Sequence, residues 1–339
     1  MAQPIDKIDF FFKRTPTVSR LECDHIAGGI VANGTVVSAV EEQGSLSYTV
    51  CCTTKTIISF RRPRAGIDVN VVSLSKNIHG HLGPDATYCG NIGQGEDVLS
   101  IYKMTCLPGK SWFALRPKKT VLEGSEKLKC ANLYRNLAAY FARQYLKRLS
   151  SNSGMEFAVL MSSNEYRNDK EAEASLSLLF GDQYPKVLAH GDLSARNFLV
   201  DEDVFAISGI IDWSLAAIRP FGTDLKVLFL LQYFDEDDTG VTFYEGHENL
   251  RETFWEEFWR ITKLEEDKRP DIRRLAELAG KLTYIIDLAF QRDNGKIVDR
   301  LGPFNDICLE GYFGNANKNI DEAFSGGDKL TDMAQGMVI

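Results

Sequence analysis

The sequence predicts an α+β protein of two lobes, a small β-rich N-terminal lobe and a larger, mainly helical C-terminal lobe. Residues 28–105 are short β-branched runs separated by glycine and polar residues, as an antiparallel sheet requires. The breaker Leu107-Pro108-Gly109 ends this part. Beyond it, apolar residues recur at every fourth position from Leu133 to Leu149, which draws one apolar stripe along a helix.

The elements of the first lobe follow from these runs. Strands are predicted at residues 35–40, 47–50, 56–60 and 98–104. Between the last two strands, Val71, Leu74 and Ile78 share one helical face, so we predict a helix over residues 67–80 that ends at Gly80.

The second lobe is predicted to contain a further helix, and the chain is predicted to divide into two lobes and a tail. Pro270 suits the first turn of a helix that continues to about Arg292. We place the N-terminal lobe at residues 1–105, the C-terminal lobe at 106–325 and a flexible tail at 326–339, which includes a Gly-Gly pair.

Composition excludes several classes of protein. The chain of 339 residues is 44% hydrophobic and 25% charged, as in an ordinary soluble protein. No run approaches 18 apolar residues, and the N-terminal segment lacks a signal-peptide core, so no membrane association is expected. A net charge of −8 gives no support for nucleic-acid binding. Seven cysteines without a CxxC pair indicate reduced thiols. We expect a cytoplasmic monomer.

One stretch carries the pattern of a catalytic loop. His190-Gly191-Asp192 and Asn197 form the pattern H-x-D-x-x-x-x-N, and an apolar run then ends in Asp212. Phosphoryl transfer requires a carboxylate for the attacking hydroxyl, and oxygen ligands that hold magnesium against the triphosphate. In the alternative, purely structural interpretation, His190 braces a loop, Asp192 forms a turn and Asn197 caps it. The joint pattern, set between two apolar strands, favours the catalytic interpretation.

These residues support a resemblance to a known family. His190-Gly191-Asp192-Leu193, Asn197 and Ile211-Asp212-Trp213 resemble the Brenner motif and metal-binding segment of the aminoglycoside phosphotransferase/choline kinase family. Pro220 and the pair Asp224-Leu225 continue the likeness. Upstream segments resemble fungal members of the family, namely residues 43–49, Phe60-Arg61, 102–104 and 107–109. The resemblance spans roughly residues 25–300 and implies a protein-kinase-like fold and the use of ATP and Mg²⁺.

The resemblance also implies roles for single residues. Asp192 would be the catalytic base, His190 would brace the loop, and Asn197 and Asp212 would hold the metal. In the nucleotide-binding N-terminal lobe, the segment containing Gly44, Ser45 and Ser47 would cover the phosphates, since a glycine lets backbone N–H groups approach oxygen atoms closely. An ordinary β-turn is the alternative there. Backbone groups near Met104 would face adenine, with an ordinary interlobe linker as the alternative.

The chain departs from the kinase pattern in its first lobe. Strand 56–60 contains no lysine for the α- and β-phosphates, and the helix after it contains no glutamate, Asp68 being the nearest carboxylate. We predict that Arg61 supplies the missing charge, because arginine binds phosphate bidentately. A solvated arginine cluster is the alternative. Asp212 is followed by Trp-Ser, and no Ala-Pro-Glu follows, which argues against a protein kinase.

Two functions follow from this pattern. The first is a phosphotransferase that acts on a small-molecule hydroxyl, in fungal secondary metabolism or on a cationic, amine-bearing compound. Residues 234–257 combine carboxylates with aromatic rings, which attract ammonium groups, although we favour a solvated acidic loop leading into an amphipathic helix, because charge runs usually face water. The second is a kinase-fold protein that has lost phosphotransfer and binds or transforms a metabolite by other chemistry.

Overall fold

The computed structural model describes residues 7–32, 35–44, 46–53, 55–149, 177–237, 240–293 and 296–299. The predicted tail at 326–339 and the predicted site residue Ser45 lie outside these ranges. Within them the chain divides into two compact units. The first comprises the chain up to Lys110 with Asn197–Asp201 and Ile207–Leu215; the second comprises Ser111–Arg196, Glu202–Ala206 and the chain from Ala216 onward.

The first unit is built on an antiparallel sheet flanked by helices. Five of its described strands lie in the order β1-β2-β3-β5-β4. Their bounds are Ser38–Ala39 (β1), Ser47–Thr53 (β2), Thr56–Arg61 (β3), Ala86–Ile92 (β4) and Leu99–Thr105 (β5). The helices are Lys7–Lys13 (α1), Arg20–Val31 (α2) and Val69–His79 (α3). Phe11 of α1 and Cys23 of α2 are buried in one apolar cluster with Tyr48 and Phe60 of the sheet.

Helix α3 forms where the apolar spacing predicts it. Asp68 caps its start by accepting hydrogen bonds from the backbone N–H groups of Asn70 and Val71 at 2.8 and 3.4 Å. Gly80, with φ of +66°, ends it. A side-chain oxygen that satisfies the first N–H groups and a glycine in the left-handed region are the usual boundaries of a helix.

The second unit is mainly helical. Its helices are Trp112–Leu115 (α4), Gly124–Leu146 (α5), Lys226–Leu230 (α6), His247–Thr262 (α7) and Arg269–Ala289 (α8). The remaining strands, some of which belong to the first unit, are Lys110–Ser111 (β6), Lys186–Ala189 (β7), Phe198–Val200 (β8), Ile207–Ile210 (β9), Ala217–Pro220 (β10), Tyr233–Asp237 (β11), Gly240–Phe243 (β12), Phe290–Asp293 (β13) and Lys296–Asp299 (β14). Helices α5 and α7 pack through aromatic side chains, including an edge-on pair of Phe141 and Phe254 with centroids 5.7 Å apart. The predicted α+β fold, with a β-rich first unit and a mainly helical second unit, is confirmed.

Two boundaries differ from the sequence-based prediction. Helix α5 ends at Leu146, and the N–H of Leu149 donates to the carbonyl of Lys186 instead of continuing the helix. Helix α8 ends at Ala289, and the residues that follow belong to β13, whereas the apolar spacing predicted helix to Arg292. At α5 the bond to a distant segment decides the boundary, and at α8 the pairing of β13 with the adjacent strand β14 decides it. Among the described residues, no helix is long and apolar enough to span a membrane.

Gly222 brings its backbone close to helix α8 and gives a testable packing prediction. A Cβ at this position would lie 2.4 Å from the Ala276 carbonyl oxygen, and its φ is +98°. Because both the backbone conformation and the space exclude a side chain, we expect Gly222→Ala to lower the free energy of unfolding by about 3–5 kcal/mol. Urea denaturation measures it.

The matched control is Gly246→Ala. Gly246 also has a positive φ, +73°, but a Cβ there would meet only the Asn249 side chain at 3.5 Å. The Gly246→Ala variant should lose only the cost of a left-handed backbone, about 1–2 kcal/mol in the free energy of unfolding. Equal losses in the two variants would contradict the packing argument.

Candidate active site

The loop after β7 is held in place by a buried carboxylate. Asp224, which is 2% exposed, accepts hydrogen bonds from the backbone N–H groups of His190 at 2.5 Å and Gly191 at 3.0 Å. Gly191 has a φ of +83°, in the region that glycine adopts readily. Two N–H groups directed at one buried carboxylate fix the backbone immediately before Asp192.

His190 supports the same loop from its side chain. It is fully buried, and its Nδ1 accepts the backbone N–H of Asp192 at 3.2 Å. This bond requires an unprotonated Nδ1, so the neutral ring carries its proton on Nε2. One hydrogen bond thus joins His190, which we predict to brace the loop, to Asp192, which we predict to be the catalytic base. Both roles stay predictions.

Helix α5 holds strand β7, which leads into the loop. The Gln144 side-chain amide donates to the Leu188 carbonyl at 2.9 Å and to the Tyr140 hydroxyl at 3.1 Å. Burial, and then the negative charge of Asp224, raise the pKa of Tyr140 well above its usual value. The phenol therefore stays neutral beside the buried carboxylate.

Lys226 ties the loop to helix α8. Its ammonium group, which is buried, lies 3.4 Å from the Gly191 carbonyl and 2.5 Å from a carboxylate oxygen of Asp287. Sequence reasoning did not find Lys226 or Asp287, and it noted Asp224 only as part of the family-like Asp-Leu pair. The one available signal was a pair of charged residues inside the apolar run that ends at Leu231.

The two predicted metal ligands lie in the first unit, at the ends of a hairpin. Strands β8 and β9 pair with Phe198 opposite Ile210, and the N–H of Ile211 donates to the Asn197 carbonyl at 2.9 Å. This pairing brings the residue after Ile211, Asp212, close to Asn197. Asp212 adopts a φ of +62°, a left-handed conformation that costs energy in a residue other than glycine and is concentrated at functional sites.

Arg61 is directed at Asp212 and not at a carboxylate of the following helix. Its guanidinium group donates to Asp212 Oδ1 at 2.9 Å, to the Ala65 carbonyl at 3.0 Å and to Ser59 Oγ at 3.2 Å. The Arg61 side chain is 8% exposed and the Asp212 side chain 40%. Asp68 is instead the cap of α3. The structure thus places Arg61 against the predicted metal ligand, a contact between residues 151 positions apart that the sequence analysis missed.

The other predicted nucleotide-binding residues lie on the same sheet. Ser47 opens β2 directly opposite Arg61, and the Ser47 hydroxyl lies 2.7 Å from where a Cβ on Gly44 would be. Met104 pairs with Ile57, four residues along β3 from Arg61 and therefore roughly 13 Å away. The structure brings Gly44, Ser47 and Arg61 together and separates Met104 from them by a distance comparable to the length of a nucleotide.

The predicted ligand pair fits magnesium by its chemistry. A carboxylate from Asp212 and a side-chain amide oxygen from Asn197 are hard oxygen donors, which Mg²⁺ prefers. Ser214 Oγ donates to Asp212 Oδ1 at 3.0 Å and orients that carboxylate. Within the described ranges, no group of three or more His, Cys, Asp or Glu residues is placed to hold a metal.

The acidic stretch at 234–257 is partly explained by structure. Glu252 binds Arg273 with oxygen–nitrogen distances of 2.5 and 2.8 Å, and Glu257 binds Arg260 at 2.7 Å. The bound guanidinium groups lower the pKa of both carboxyls. The solvated-helix interpretation therefore accounts for these two glutamates, while the side chains of residues 235–238 lie outside the description.

Asp224 gives a prediction about stability. In Asp224→Ala the N–H groups of His190 and Gly191 lose their partner inside the protein, and each buried unsatisfied group costs about 1–3 kcal/mol. We expect a loss of about 3–5 kcal/mol in the free energy of unfolding, measured in urea. Asp182→Ala is the control, since the Asp182 side chain is 97% exposed and should change stability by under about 0.5 kcal/mol. A loss below 1 kcal/mol at Asp224 would show that the carboxylate does not hold the loop.

Known proteins resemble the chain in sequence and in structure. Solved structures with similar folds include the gentamicin complex of APH(2")-IIa, with 16% identity, a TM-score of 0.49, and coverage of 95% of this chain and 99% of that one. The streptomycin–ATP complex of APH(2")-IIa has 14% identity, a TM-score of 0.46 and the same coverage. Aminoglycoside phosphotransferase APH(3'')-Id from Streptomyces rimosus has 15% identity, a TM-score of 0.44, and coverage of 78% and 99%. No curated protein matches the sequence.

Part of the sequence matches a family of known proteins. Residues 134–278 match the phosphotransferase enzyme family, and this range contains the loop from His190 to Asn197 together with Asp212 and Asp224. The likeness to fungal members stays a prediction. The segment that holds the catalytic-loop motif therefore carries the sequence signature of the phosphotransferase enzyme family, as the resemblance predicted.

Proposed function

We propose that this protein is an ATP- and magnesium-dependent kinase that transfers the γ-phosphate of ATP to a hydroxyl group of a small molecule. The observation that carries the proposal is the contact between buried Arg61 and Asp212, whose backbone is held in a left-handed conformation. A fixed guanidinium beside a half-exposed carboxylate supplies a phosphate ligand and a metal ligand from one place. The family match over residues 134–278 supports the reaction class.

Each part of the described site has a task in this mechanism. Asp192 accepts the proton of the attacking hydroxyl, and its position depends on His190 Nδ1 and on the Asp224 carboxylate under the loop. Asn197 and Asp212 would hold magnesium, which when bound neutralises charge on the triphosphate. Arg61 binds phosphate oxygens with a guanidinium already oriented by Ser59 and Ala65.

The remaining predictions from the sequence belong to the same proposal. Gly44, Ser45 and Ser47 would cover the phosphates, and backbone groups near Met104 would face the adenine. The enzyme would act as a cytoplasmic monomer without nucleic-acid or membrane partners. A role in secondary metabolism, or an acceptor that carries an amine, stays a prediction from the sequence.

Magnesium-dependent nucleotide binding tests the proposal. The full chain should show a thermal shift with millimolar ATP and Mg²⁺ that EDTA abolishes and that Asp212→Ala loses. Transfer of the labelled γ-phosphate to members of a panel of small hydroxy compounds should then follow. A folded wild-type protein with no shift in ATP and Mg²⁺ would reject the proposal and favour the alternative, a kinase-fold protein that binds a metabolite without phosphotransfer. Equal shifts in wild type and Asp212→Ala would remove Asp212 from the metal site.

A further inference from the structure

The peptide unit that precedes the Asp192 side chain is held at both of its polar ends. Its N–H belongs to Asp192 and donates to His190 Nδ1 at 3.2 Å. Its carbonyl belongs to Gly191 and lies 3.4 Å from the Lys226 ammonium group. Because a trans peptide directs its N–H and its C=O to opposite sides, His190 and Lys226 hold the unit from opposite directions.

The glycine at position 191 makes this restraint necessary. Its φ of +83° suits a glycine, and glycine is allowed in most other backbone conformations as well. A turn of the peptide unit between Gly191 and Asp192 therefore costs little backbone strain by itself. Such a turn changes ψ of Gly191 and φ of Asp192, on which the direction of the Asp192 side chain depends. Contacts with neighbouring groups must limit the turn if the carboxylate is to keep one direction.

Two charged side chains of segment 224–226 match the backbone groups of the loop. Asp224 accepts the N–H groups of His190 and Gly191. Lys226, two residues later, faces the Gly191 carbonyl, and both charged side chains are buried. In a buried place a carboxylate attracts N–H dipoles, and an ammonium group attracts a carbonyl oxygen, more strongly than in water. The segment therefore holds two donors and one acceptor of the loop, each with the charge that suits it.

Helix α8 fixes Lys226 at two places. A Cβ on Gly280 would lie 2.9 Å from the Lys226 backbone nitrogen, so the helix and the segment approach each other backbone to backbone. Asp287 follows Gly280 by seven residues, or about two turns, on the same face of α8. One of its carboxylate oxygens is 2.5 Å from the Lys226 ammonium group. All of these residues belong to the second unit, and the lysine reaches the Gly191 carbonyl with little freedom left to lose.

We infer that Lys226 is a positioning residue, whose ammonium group, anchored by Asp287, holds the peptide unit between Gly191 and Asp192 so that the Asp192 carboxylate faces the attacking hydroxyl. The inference rests on the proposed role of Asp192 as the base. Replacing a buried charged side chain by an apolar one of similar size often leaves stability nearly unchanged. Lys226 therefore contributes to the rate of the reaction more than to the stability of the fold.

Amide hydrogen exchange in Lys226→Met tests the hold on the peptide unit directly. Methionine keeps most of the length of the side chain and removes the ammonium group. Exchange in the full chain is followed by mass spectrometry with fragmentation to single residues. We expect the Asp192 amide to exchange at least about tenfold faster than in the wild type, because a contact with a charged group is lost. Amides of helix α5 should change by less than about twofold, since the opening is local.

Asp287→Asn gives a second variant at a half-exposed position, where the change leaves the core intact. It removes the anchor of the ammonium group and leaves Lys226 in place. We expect exchange at Asp192 to rise by about threefold, as for the loss of a partly exposed ion pair. If Lys226→Met fails to fold, unchanged exchange in Asp287→Asn overturns the inference by itself.

Release of the γ-phosphate tests the consequence for the reaction. Water serves as the acceptor, and the probe is labelled ATP with Mg²⁺. Lys226→Met should lower kcat at least about tenfold, because a shift of about 1 Å in a catalytic group can cost about 10²-fold in rate. The KM for ATP should change by less than about threefold, since the predicted nucleotide-binding residues belong to other segments. A purely structural role of Lys226 would not separate kcat from KM in this way.

The matched control is Lys186→Met. The Lys186 side chain is 10% exposed and also forms an ion pair, with Asp182 at 3.6 Å. It lies in β7, four residues before His190, and so close to the same loop in the chain. Its replacement should change exchange at Asp192 and kcat by less than about twofold. An effect equal to that of Lys226→Met would show that any paired lysine near the loop acts in the same way, and would overturn the inference.

Three further results would overturn the inference. They are unchanged exchange at Asp192 in Lys226→Met, exchange that rises equally along α5, and faster exchange at Asp192 with a wild-type kcat. Failure of the proposed function gives a different result. The wild-type chain would then show no thermal shift with ATP and Mg²⁺ and release no phosphate, while faster exchange at Asp192 in Lys226→Met would still show that Lys226 holds the loop.

Discussion

Asp192→Asn should lower kcat by about 10³-fold or more while changing nucleotide affinity by less than about threefold. The amide keeps the size of the side chain, and it leaves the Asp192 backbone N–H bonded to His190 Nδ1, so the loop should stay in place. Only the ability to accept the hydroxyl proton is lost. Steady-state phosphotransfer and a nucleotide titration measure the two quantities on the same preparation.

The control for this variant is Asp203→Asn. Asp203 is an exposed carboxylate in the connection between β8 and β9, and removing its charge should leave both kcat and nucleotide affinity unchanged. Loss of nucleotide affinity equal to the loss of kcat in Asp192→Asn would show that Asp192 supports the structure of the site and is not the base.

Arg61→Met should lower kcat/KM for ATP by about 10²–10³-fold, because a fixed positive charge at developing phosphate charge is worth several kcal/mol. The substitution keeps the length of the apolar stem in a site that is 8% exposed, so packing changes little. It removes the guanidinium bonds to Asp212, Ala65 and Ser59. Initial rates over a range of ATP concentrations give kcat/KM.

Two further variants make the Arg61 result specific. Arg61→Lys restores the charge but cannot reach three acceptors from one nitrogen with the same geometry, so we expect it to recover activity to within about tenfold of wild type. Arg64→Met, three positions along in an exposed segment, should behave as wild type. If Arg61→Met kept the wild-type kcat/KM, Arg61 would not be the functional replacement for the missing strand lysine.

The local sequence pattern does not predict where strands begin and end. The β-branched run at 35–40 predicts a strand of six residues, yet β1 contains only Ser38 and Ala39, and Val40 adds one bond from its N–H to the Thr49 carbonyl of β2. Val36 is 83% exposed, and the Thr35 N–H donates back to the Ala32 carbonyl, which draws the chain toward the end of α2. Intrinsic β-propensity describes how a side chain suits a pleated surface, and it cannot supply the neighbouring strand.

The sequence by itself determined the α+β fold class and the catalytic-loop motif from His190 to Asn197. His190 and Asn197 are seven positions apart in one loop, so their spacing is visible in the printed chain. Only the tertiary structure decided that Arg61 binds Asp212 and that Asp224 accepts hydrogen bonds from the backbone of the catalytic loop. Contacts between residues 34 to 151 positions apart depend on how the strands and helices pack. The spacing of residues in the sequence does not predict that packing, because nothing in the pattern of either partner's own helix, strand or loop indicates the residue that it contacts.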